Sequence, residues 1–189
     1  MKRTGKLFVF LMSMALITNS GCAKTSQKEM IISADYPFYD TVEDAKNAAM
    51  EIVEVKVISS ESVTLDASES LTDEQTNDSE RNPGGETDRQ SLPYTIYTVE
   101  VMQVYKGAVT VGNTIEMKQL GGTIDRVHYV QEDAMTIEIG NTYIMFLETY
   151  ENSPASLINP IQGIYEYKDG KITGSSKNTW VLTLEDMKE

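Results

Sequence analysis

Three residue types in this chain carry chemistry worth placing: one imidazole, one thiol and ten tyrosines. His128 lies in Asp125-Arg126-Val127-His128-Tyr129-Val130-Gln131-Glu132-Asp133, where an imidazole and carboxylates cluster. Such a cluster is the raw material of a general base or a metal ligand set. If residues 126–130 form a strand, however, Arg126, His128 and Val130 share one face and Asp125 falls on the other. The pattern therefore predicts an exposed or hydrogen-bonded histidine rather than a ligand. Serine-based hydrolysis needs a base beside the nucleophile, and no serine stands in a Gly-x-Ser-x-Gly elbow. With 29 acidic residues some carboxylates must be neighbours, so a carboxylate-based hydrolase remains the enzymatic alternative. No catalytic residue, metal site or cofactor is assigned.

The thiol is more informative. Residues 1–21 have a basic start (Lys2, Arg3, Lys6), an apolar run from Leu7 to Thr18, then small and polar residues ending at Cys22. That is the layout of a secretory signal peptide. As a helix the run spans about 18 Å, against a hydrocarbon core of about 30 Å, which is short for a permanent span. Ser20-Gly21-Cys22 resembles the lipobox of bacterial lipoproteins. The resemblance implies a diacylglyceryl group on the Cys22 sulfur and cleavage before it. Two acyl chains suffice for stable anchoring where one is marginal. The partner so implied is a bacterial membrane, reached from its extracytoplasmic side, with residues 22–34 as a tether. One cysteine excludes an intramolecular disulfide.

The net charge is −13, and removal of the basic leader makes the chain more acidic still. Nucleic acid is excluded as a partner, because neutralising phosphates requires a cationic face. Residues 35–189 read as one domain. Thr41 or Asp40, with a carboxylate three positions on, caps a short helix over about 41–50. Val53, Val55 and Val57 then alternate with Glu54 and Lys56, predicting a strand from Ile52 to about Ile58. Residues 59–93 hold nine acids, no aromatic and Pro83-Gly84-Gly85, and so predict a long disordered acidic insertion. Its acids lack the fixed spacing of a calcium loop. Further strands are predicted at 94–105, 114–120, 126–130 and 142–150. A hairpin follows across Asp169-Gly170, and a last helical turn lies within 183–189. Val99 and Phe146 are expected to point into the core of a barrel or sandwich.

The run Tyr94 to Gly107, with Val111-Gly112, Gly121-Gly122 and Ile139 to Leu147, resembles a group of uncharacterised bacterial surface proteins. Their strand order is similar to the OB-type barrel of netrin-like and TIMP-like modules. The resemblance implies a mainly β fold: a five-stranded OB-like antiparallel barrel with a short N-terminal helix and the acidic insertion. The zinc chelation that TIMP-like inhibitors perform through an N-terminal cysteine does not carry over, since no second cysteine holds Cys22 against the barrel. OB barrels bind ligands on an aromatic-bearing face, which makes Tyr94, Tyr97, Tyr105, Tyr165 and Tyr167 a candidate recognition surface, although tyrosine is also an ordinary strand residue. The expected function is a non-catalytic, lipid-anchored binding module for an unknown protein or envelope component. An accessory or inhibitor subunit of a surface enzyme is the other alternative.

Overall fold

The computed structural model describes residues 28–66 and 91–187. The leader, Cys22 and the middle of the acidic insertion lie outside the described residues. So does the expectation of disorder for 67–90.

The fold is mainly β, with one α-helix. In chain order the elements are β1 (Lys28–Ile32), α1 (Val42–Ala48), β2 (Glu51–Asp66), β3 (Ser91–Lys106), β4 (Thr114–Ile124) and β5 (Val127–Gln131). There follow β6 (Thr142–Glu148), β7 (Ala155–Leu157), β8 (Ile164–Lys168), β9 (Lys171–Gly174) and a 3-10 turn at Glu185–Met187. Nine strands among the described residues replace the five expected. They pair in the order β1-β5-β4-β3-β2-β6-β8-β9, and β7 pairs with both β4 and β6. The β1–β5 and β4–β7 pairs are parallel, so the sheet is not wholly antiparallel.

The helix begins where its capping chemistry dictates. The Thr41 hydroxyl accepts from the Asp44 amide, and the Asp44 carboxylate accepts from the Thr41 amide. At the other end Lys106 Nζ donates to the carbonyls of Lys46 and Ala49, each at 2.7 Å, satisfying groups the last turn leaves open. β2 does not stop at Ile58. It continues to Asp66 against β3, which starts at Ser91, with Val63 opposite Tyr94 and Leu65 opposite Leu92. The outer ends of the expected insertion are therefore strand, because cross-strand apolar pairs and a continuous backbone ladder support a ribbon that acid-rich composition obscured. Part of the expected tether is likewise folded, as β1 against β5.

β4 changes partner along its length, pairing with β3 up to Leu120 and with β5 from Gly121. Gly121 and Gly122 sit at φ 108° and 132° at the switch. A Cβ on Gly121 would come within 2.7 Å of the Tyr129 carbonyl oxygen, so the corner requires glycine. The Asp169-Gly170 hairpin forms as expected, with both residues at positive φ.

Two apolar clusters lie on opposite faces of β2 and β6. The inner one gathers Val53, Val55, Val57, Tyr97, Val99, Val101, Met117, Met145 and Leu147. The outer one gathers Ile52, Ile144, Phe146 and Tyr165 beneath Ala45 of α1, Ala49 just after it, and Leu182 and Met187. Phe146 is fully buried, but in the outer cluster. It does not share a core with Val99, since consecutive β6 residues alternate faces and both faces are covered.

Candidate functional site

β4, β7 and β6 floor a groove of about 520 Å³. Strand register decides which side chains reach it. Met117, Ala155, Leu147 and Leu157 pair across these strands and face the inner cluster. Lys118, Ser156 and Glu148, the next residues along, therefore face outward together. Tyr94, paired with Leu120, joins that face from β3, and Tyr150 follows just beyond β6.

The outward lysine is held by aromatic rings. Lys118 Nζ lies 4.7 Å from the centroid of the Tyr150 ring and 5.9 Å from that of Tyr94, and it donates to Ser153 Oγ at 2.6 Å. Burial lowers the Lys118 pKa, and the nearby Glu148 charge opposes that shift. The Tyr150 hydroxyl donates to Glu148 at 3.1 Å. Burial is also the first cause that raises the phenol pKa values of Tyr36, Tyr39, Tyr94 and Tyr150, so all four stay neutral at physiological pH.

One wall of the groove comes from the segment before α1, bearing Tyr36, Pro37 and Tyr39. A loop built around Pro160 fixes that wall. Asn159 and Gln162 are buried polar side chains. Asn159 Oδ1 accepts from the amides of Ile161 and Gln162, while its Nδ2 donates to the Pro37 carbonyl at 2.8 Å. Gln162 binds the Tyr39 backbone twice, accepting from its N–H and donating to its C=O, each at 2.9 Å. Trp180 Nε1 donates to the same carbonyl. The rim is thus fixed by the chain's own hydrogen bonds.

The five tyrosines singled out from the sequence are not brought onto one surface. Tyr94 lines the groove. Tyr97 belongs to the inner cluster and Tyr165 to the outer one, where Asn178 donates to its hydroxyl at 2.7 Å. Tyr105 and Tyr167 pack at the edge of the outer cluster, and the Tyr105 hydroxyl donates to Glu54. Sequence reading missed Tyr36, Tyr150, Lys118 and the Asn159–Gln162 clamp. The signal that was present is a pair of carboxamides flanking Pro160 in a stretch otherwise apolar from Leu157 to Ile164.

His128 lies on β5, exposed, with Nδ1 3.1 Å from Thr123 Oγ1. Asp125 and Arg126 form the turn before β5, both at positive φ, so the strand begins one residue later than expected. Among the described residues no group of three His, Cys, Asp or Glu side chains is placed to hold a metal ion. No helix among them is long and apolar enough to cross a membrane. No model of a known protein family matches the chain, and no curated protein matches it.

Proposed function

We propose that this chain is a lipid-anchored, extracytoplasmic binding module, non-catalytic, which holds an envelope component in the groove over β4, β7 and β6. The observation that carries the reading is the prearranged wall: buried Asn159 and Gln162 fix residues 37–39 opposite the Lys118–Tyr150 pair. A wall fixed in this way offers a ligand a preorganised surface. The strand pairing supports an OB-like barrel as the scaffold. β2, β3, β4, β7 and β6 form a closed circuit of pairings, with β4–β7 as its parallel pair. The leader and the Ser20-Gly21-Cys22 motif support the anchor.

Two measurements test the reading. Cys22→Ala should leave the precursor unprocessed or release the protein into the aqueous phase; unchanged processing and unchanged detergent partitioning would remove the anchor. Protein released by Cys22→Ala, which carries no acyl chains, should still co-sediment with isolated cell envelopes of its source. Tyr150→Ala, at a 43 % exposed residue, should abolish that without shifting the melt. Co-sedimentation that is absent, or indifferent to Tyr150, overturns the groove as the binding site.

A further inference from the structure

We infer that the ligand of this groove is a neutral glycan, an inference that rests on the binding-module reading and names its ligand class. Lys118 and Glu148 are the two ionised side chains in the lining and have opposite charges, so the groove is locally neutral on a chain of net charge −13. The remaining polar side chains in its lining are four phenols (Tyr36, Tyr39, Tyr94 and Tyr150), two carboxamides (Gln119 and Gln131) and the Ser156 hydroxyl. Phenols and carboxamides each donate and accept hydrogen bonds. Sugar hydroxyls do the same, whereas a phosphate or carboxylate only accepts and an ammonium only donates. The tyrosine rings add flat apolar surface suited to the C–H faces of sugar rings. The volume falls within the range of small-ligand sites.

Competing ligand classes meet specific obstacles. An anion would face Glu148 and the surrounding negative field. A cation would be repelled by the Lys118 ammonium, which lies 4.7 Å from the Tyr150 ring centroid and 5.9 Å from that of Tyr94. A peptide that binds by adding a strand needs an unpaired sheet edge. The strands flooring the groove have none there: β4 pairs with β3 and β7, β7 with β4 and β6, and β6 with β2 and β7.

Calorimetric titration of the solubilised full chain with two neutral tetrasaccharides, tetra-N-acetylchitotetraose and cellotetraose, tests the inference. At least one should bind saturably. Tyr150→Ala should weaken it by about tenfold or more, and Tyr94→Phe, which removes one hydroxyl, should weaken it less. The affinity should change by less than about twofold between low and high salt, because no net charge is neutralised. Absence of saturation by either sugar, binding that survives Tyr150→Ala, or a steep salt dependence would each overturn the glycan assignment. If envelopes bind through Tyr150 while neither sugar does, the glycan class fails and the binding module stands. If a sugar binds through Tyr150 and envelopes do not, the envelope reading fails and the glycan site stands.

Discussion

The two faces of β6 are buried by different means. Inward, Tyr143, Met145 and Leu147 meet side chains from other strands, mostly aliphatic and set by the registers of β2, β3 and β4. Outward, Ile144 and Phe146 meet a helix and the C-terminal segment. There the packing is aromatic: Phe146 lies 6.1 Å from Tyr165, centroid to centroid, and Tyr165 lies 5.9 Å from Trp180. The inner cluster is closed strand on strand, through the pairings of β2, β3, β4, β6 and β7, whereas the outer one is closed by α1 and the segment from Trp180 to Met187, which lie outside the sheet. One face is thus set by strand register while the other depends on docking of segments that the register does not fix.

Truncation of a fully buried aromatic on the outer face should break this division most visibly. Phe146→Ala removes a fully buried ring and is expected to cost about 3–5 kcal/mol; a denaturant melt should show it, together with loss of the near-ultraviolet signal of Trp180. Val99→Ala, on the inner face, should cost about 1.5–3 kcal/mol and leave that signal intact. Equal loss of the Trp180 signal in both variants would mean the clusters do not act separately.

Alkaline titration sharpens the comparison from another side. Burial, then the Glu54 charge and hydrogen bond, push the Tyr105 phenol from 10.0 up to about 12, and burial raises Tyr165 as well. Both sit in or against the outer cluster, so its stability contribution is full below pH 10. It should fall as pH rises toward 12, where unfolded tyrosines ionise before these two. Phenolate absorbance followed beside the melt should show the loss of stability in that window; a stability curve flat through it would contradict the assignment. Lys106→Met, which strips the carbonyl cap from α1, should cost about 1 kcal/mol and loosen the outer face alone. The smallest effect is expected for His128→Ala, an exposed residue that belongs to neither cluster, within about 0.5 kcal/mol in the same melt.

Much of the strand pattern was legible because alternation is a local property. Val53, Val55 and Val57, the run from Tyr94 to Tyr105 and the Asp169-Gly170 hairpin announce themselves within a few residues. The extension of β2 past Ile58 was hidden because Val63 and Leu65 acquire partners only from Tyr94 and Leu92, far along the chain. The second face of Phe146 was hidden for a similar reason, since an apolar run says that both faces are covered but not by what. The groove was least legible of all. Tyr36, Lys118 and Tyr150 come from three distant segments, and the carboxamides that fix the wall beside Tyr36 look like ordinary loop residues until their bonds to the Pro37 and Tyr39 backbone are seen.

The clamp on residues 37–39 has a mechanical consequence. Tension at the N-terminal side of the described chain enters first through β1, whose five residues pair in parallel with β5 from Lys28 opposite Val127 to Ile32 opposite Gln131. Only when that short pairing yields does the pull reach the Asn159 and Gln162 bonds, and behind them the groove wall. Force from the N-terminal side thus meets a yielding element before it meets the groove wall, so a single-molecule pulling trace should show a small early extension before the rest of the fold gives way.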